Sequence, residues 1–145
     1  MRDLPRHLTT EELAELFEGR TPLVEKLADR DDPLASAHDV ISDLSEEEKL
    51  EALNAHPAIG ANTLSARSAA EQGTDDDPKT LAELEQLNRA YEERFGFRFV
   101  VFVNRRPKRE IVPILRERLA RSRAEELDTA VHELVAIAED RWRRS

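Results

Sequence analysis

One run of this sequence reads as a β-strand, and one strand has no sheet to join. Phe97-Arg98-Phe99-Val100-Val101-Phe102-Val103 combines aromatic and β-branched residues as strands do. No second run of that kind is present to pair with it, and an isolated strand does not hold in water. The segment is therefore expected as buried extended chain, or as a short helix forced by packing, inside a helical protein. Around it the apolar spacing is helical. Leu81, Leu84, Leu87, Tyr91 and Phe95 recur at three- and four-residue intervals over Lys79 to Phe95, and Gly96 is placed to cap that helix.

The remaining segments carry helix punctuation. Thr9-Thr10-Glu11-Glu12 starts a helix with a threonine cap and first-turn acids, with Leu13, Leu16 and Phe17 as its apolar face and Gly19 and Pro22 ending it. Thr21-Pro22 caps the next, which buries Leu23, Val24 and Leu27. Ser36 to Ile41 reads as a short helix, and Ser45-Glu46-Glu47-Glu48 as a strong cap ahead of Leu50 and Leu53. His56-Pro57 stops that helix, because the residue before proline is pushed out of the α region. Further helices are expected over about Glu110 to Arg121, with Pro113 tolerable in the first turn, and about Ala124 to Arg143. On the last, Val131, Leu134, Val135, Ala138 and Trp142 share one face. The expected architecture is all-α, a single-domain bundle of seven or eight helices over residues 1–145.

Composition narrows the function classes. The chain has 145 residues, 39% hydrophobic and 37% charged, with four histidines and no cysteine. Disulfides and thiol nucleophiles are excluded. No apolar run has the ~20 residues that span a membrane, so no membrane partner is expected. Met1 to His7 has no secretory hydrophobic segment, which leaves the cytoplasm as the default expectation. Residues 1–97 carry 10 Lys/Arg against 23 Asp/Glu, a net of −13, and residues 98–145 carry 12 against 8, a net of +4. The cluster Arg105-Arg106-Pro107-Lys108-Arg109 is basic, but the overall charge of −9 and the lack of interleaved aromatics argue against nucleic acid.

Phosphate loops, zinc-binding histidine pairs and a Gly-x-Ser-x-Gly elbow are all missing, and His7, His38, His56 and His132 are dispersed, so no metal site is expected. His56 is the histidine whose neighbours look arranged for proton chemistry. It closes a helix, where the negative end of the dipole favours its protonated form. Pro57 stiffens the corner and Gly60 lets it turn. The alternative, that His56-Pro57 only stops a helix, fits the same residues. Glu71 and Gln72 fit an exposed polar helix, with Ser68 as its cap. Arg141 fits either a carboxylate ligand or a surface arginine whose stem covers Trp142.

The order of motifs resembles the 2-oxo-4-hydroxy-4-carboxy-5-ureidoimidazoline (OHCU) decarboxylase family. Ala55-His56-Pro57 is followed by Ser68-x-x-Glu71-Gln72, then by Leu87-Asn88-x-x-Tyr91-x-x-x-Phe95-Gly96-Phe97-x-Phe99-Val100-Val101. Arg118-Leu119, Glu126-Leu127 and Ala138-x-x-Arg141 complete the series, so the resemblance runs from about His56 to Trp142. It implies an all-α homodimer without metal or organic cofactor that decarboxylates OHCU, a small molecule, to (S)-allantoin. It also implies roles for particular residues. His56 matches the catalytic acid/base, with Glu71 as its partner in the site. Pro57, Ser68, Ala69, Ala70, Glu71 and Gln72 match a substrate-contacting stretch. Phe99, Val100, Val101, Phe102 and Val103 match a segment lining the pocket, and Arg141 matches an arginine facing the substrate. Arg118 matches a recurrent arginine of the family.

The chain departs from the family pattern in three places. Thr21-Pro22-Leu23-Val24 stands where the family has a Ser-Pro-Trp motif, Arg98 replaces a usual proline, and the stretch between Gly60 and Ser68 is short. These leave two alternatives to the decarboxylase. One is a paralogue acting on a related ureido or carboxylated heterocycle. The other is a non-enzymatic helical interaction module.

Overall fold

Local capping chemistry sets where the helices begin. In the computed structural model, which describes residues 3–56 and 77–144, Thr9 and Glu12 exchange side-chain-to-backbone bonds at the start of α1 (Thr10–Phe17). Ser45 and Glu48 do the same at α4 (Glu46–Asn54). Each box satisfies two backbone donors that the first turn leaves unpaired, and replacing such a cap by alanine costs about 1 kcal/mol. Thr21 caps α2 (Pro22–Ala28), with Pro22 in the first turn. The short α3 (Ala37–Ser42) follows. α5 (Pro78–Phe95) ends on Gly96, whose φ of 79° is left-handed and whose N–H donates to the Glu92 carbonyl at 2.9 Å. α6 (Lys108–Leu119) and α7 (Arg123–Arg144) complete the chain, α7 starting after reciprocal bonds between Ser122 and Glu125. Seven helices and no strand are present among the described residues.

One apolar cluster draws on all seven helices. α7 runs against α1, α3 and α4, while α5 packs mainly against α6. Leu13, Leu23, Leu53, Ile111, Val131 and Leu134 are wholly inaccessible to solvent. Truncating such a side chain to alanine costs about 2–5 kcal/mol.

Two expectations needed sharpening. Residues 98–103 are neither helix nor strand, so the run is not a forced helix. With no strand beside them among the described residues, several of their backbone groups bond to side chains instead. Arg118 donates to the Val100 carbonyl at 2.8 Å, and Arg106 donates to the carbonyls of Phe102 and Val103 at 2.6 and 2.9 Å. The Phe102 N–H donates to Glu133 at 3.4 Å. α6 also begins two residues earlier than expected, so Pro113 lies beyond the first turn and inside the helix. Burial of Ile111, Val112 and Leu115 on the opposite side outweighs the backbone bond that proline cannot make.

Candidate active site

α4 has no glycine at its end. The chain leaves through Ala55, and His56 follows with its N–H on the Leu53 carbonyl at 3.2 Å. This corner turns the imidazole inward: His56 is only 4% exposed, and its Nε2 is buried with no hydrogen-bond partner among the described residues. A buried polar nitrogen left open costs free energy unless something is meant to occupy it.

The charge state is opposite to the one expected at a helix C-terminus. Burial, then the positive charge of Arg141, lower the His56 pKa to about 4; Glu18 opposes this and Arg98 adds to it. Desolvation outweighs the helix dipole, and the carbonyls that would have favoured a cation are engaged by Arg98 instead. Its guanidinium donates to the Asn54 carbonyl at 3.3 Å and, at shorter range, to the His56 carbonyl.

Arg141 comes from α7 and is itself buried, which rules out a surface arginine lying over Trp142. Its Nη1 donates to the Leu16 carbonyl at 3.0 Å, and its Nη2 pairs with Glu18 at 3.1 Å. Glu18 ends α1 in a left-handed conformation, φ 65°, where glycine is the usual residue. That conformation costs a glutamate about 1 kcal/mol, and it delivers the carboxylate to Arg141. Arg141, Glu18 and Arg98 thus surround the neutral His56 imidazole where α1, α4, α7 and the 98–103 segment meet.

The other expected site residues divide into two sets. Pro57, Ser68, Ala69, Ala70, Glu71 and Gln72 lie outside the described residues. Phe99, Val100, Val101 and Val103 are buried. The Phe99 ring stacks edge-on to Tyr91 at 5.2 Å and lies under the Arg118 guanidinium at 4.6 Å. Phe102 is half-buried and lines a groove of about 420 Å³ with Ala136, Glu139, Asp140 and Arg143 of α7; His56 is not part of its wall. Arg118 forms a buried pair with Glu126 at 2.7 Å and ties the 98–103 segment to it through the Val100 carbonyl.

Sequence reasoning did not single out Glu18, because an acid at a helix end carries no signal of a partner 123 positions along the chain. His38 and His132, dispersed in sequence, stack with ring centroids 4.6 Å apart. Among the described residues no cluster of three or more His, Cys, Asp or Glu is arranged to hold a metal.

The model of the OHCU decarboxylase family matches residues 2–143. The chain belongs to that family. A 2-oxo-4-hydroxy-4-carboxy-5-ureidoimidazoline decarboxylase from Haloferax volcanii is 36% identical over 104 residues, covering 68% of this chain. The chain spans less than two thirds of that relative's length, 62%. A protein of the same description from Amia calva is 30% identical, with 91% of this chain and 86% of the relative aligned. The fold is that of a solved structure of OHCU decarboxylase in the presence of (S)-allantoin, with a TM-score of 0.76 at 24% identity, covering 90% of this chain and 94% of the other.

Proposed function

We propose that this protein decarboxylates OHCU to (S)-allantoin and carbon dioxide, with His56 as the proton-transfer group. The observation that carries the reading is a buried, neutral imidazole with an open Nε2 beside a buried arginine, in a chain of this family.

The substrate's chemistry fits such a site. Its carboxylate sits on a carbon next to an imine carbon, so the substrate contains its own electron sink. When the bond to the carboxylate breaks, the electron pair moves toward the imine nitrogen and carbon dioxide leaves. The 4-hydroxyl then gives up its proton as the carbonyl forms, the ureido-bearing carbon gains one, and the ring nitrogen takes one from solvent. A neutral His56 accepts the hydroxyl proton and returns it to carbon on one face. Fixing one donor on one face accounts for a single enantiomer. Arg141 binds the substrate carboxylate or a carbonyl oxygen. Glu71 bonds the ureido or ring N–H groups, Gln72 joins Arg141 at the anionic and carbonyl ends, Pro57 and Ser68 to Ala70 contact the substrate, and Phe99 to Val103 keep water out. The working unit is the 1–145 domain, as a homodimer in the cytoplasm.

The direct test couples urate oxidase and hydroxyisourate hydrolase to this protein and follows circular dichroism. Rapid appearance of optically active allantoin is expected, with loss of that acceleration in His56→Asn. No acceleration by the native protein would overturn the activity, and normal turnover by His56→Asn would overturn the role of His56. Light scattering at the subunit's mass of 16.6 kDa would overturn the dimer.

A further inference from the structure

Arg98 stands where the family pattern has a proline, and a proline there would offer no donors at all. In this chain it offers several, and three of its contacts go to the end of α4. The Arg98 N–H donates to the Asn54 side chain at 3.3 Å. The guanidinium donates to the Asn54 carbonyl at 3.3 Å and to the His56 carbonyl. Its Nε faces Glu92 of α5 at 3.6 Å, which aims the side chain. α4 lacks the glycine cap that would satisfy its last carbonyls internally. The corner that carries the imidazole is therefore held from outside the helix, across 42 to 44 residues of sequence.

We propose that Arg98 is a positioning residue, a clamp on the Asn54 and His56 carbonyls that fixes the His56 imidazole for proton transfer. The proposal rests on the reading of His56 as the proton-transfer group. The clamp has two physical parts. Its bonds set the direction of the ring, and its cation cancels the negative helix end that would otherwise bear on the imidazole. Among the described residues, the charged groups facing that ring are Arg141 from α7, Glu18 from the end of α1 and Arg98 itself. Removing Arg98 leaves Glu18 and the bare carbonyls less opposed, so the imidazole takes up its proton at higher pH.

The test compares Arg98→Met and Arg98→Lys with the native chain by the allantoin assay and by NMR titration of the His56 ring. Arg98→Met is expected to lower kcat about tenfold, since small misplacements of a catalytic group are costly, with KM within about threefold. Its His56 titration is expected to move upward. Arg98→Lys keeps the charge but loses the fork of donors, so it should restore the titration while recovering only part of kcat. An unchanged His56 titration in Arg98→Met would overturn the clamp, whether or not the protein turns over OHCU. Native kcat in Arg98→Met would do the same. Arg98 is half-exposed, so both variants should fold, with melting temperatures near the native value. If the native protein fails in the assay, the activity reading fails, and the titration still decides the clamp.

Discussion

At neutral pH the His56 imidazole is uncharged because burial and Arg141 both oppose its proton. Two measurements follow from the sign. An unfolded chain protonates its histidines near 6.5, whereas folded His56 waits until about pH 4. Between those values unfolding takes up a proton, so stability is full above about pH 6.5 and falls as the pH drops toward 4. By pH 5 this single residue removes about 2 kcal/mol relative to pH 7.5. Urea unfolding at the two pH values should show that loss in the native chain, and His56→Gln should lack it. The same depression puts the acidic limb of kcat/KM near pH 4 to 5, not near 6.5. An acidic limb at the ordinary histidine value would mean that His56 is not the group titrating.

At the scale of the element, α6 carries the one internal proline of the described helices. Pro113 is exposed on a helix whose other side is packed. It removes the backbone bond to Arg109 and crowds the preceding turn. Pro113→Ala should therefore stabilise the protein by about 1–3 kcal/mol and raise Tm by several degrees, read by thermal unfolding. The boundary that exposed this strain was displaced by two residues from the sequence expectation, because Pro107 and the buried Lys108 start the helix earlier than Glu110. The other starts were legible. Thr9, Thr21, Ser45 and the end at Gly96 act through partners within four residues. Nothing far away is needed to read them.

At the scale of the molecule, Glu126 is the knot. Wholly buried on α7, it accepts from Tyr91 of α5 at 2.6 Å, from Arg118 of α6 at 2.7 Å and from Arg121 at 3.0 Å. Arg118 passes the tie on to the 98–103 segment through Val100. Burial and the Glu126 carboxylate push the Tyr91 hydroxyl well above its ordinary pKa, so it remains a donor across the working range. Glu126→Ala strands the Arg118 cation in the core and should cost about 3–5 kcal/mol in urea unfolding. Arg118→Met combined with Glu126→Leu should cost less than Glu126→Ala alone, because no charge is left unpaired. A double variant as unstable as the single one would show that the pair's charge is not what matters.

The sequence by itself determined the all-α class, the caps and apolar faces of the helices, and the family pattern around His56. Those features depend on residues a few positions apart, where periodicity and capping act. It also marked Arg98 as unusual without indicating its use. Only the tertiary structure decided that His56 is buried and uncharged, that Arg141 is interior and paired with Glu18, and that Arg98 closes α4. Desolvation and charge pairing depend on which segments meet in space. The contact from Arg141 to Leu16 spans 125 residues, and no local pattern encodes an interaction at that range.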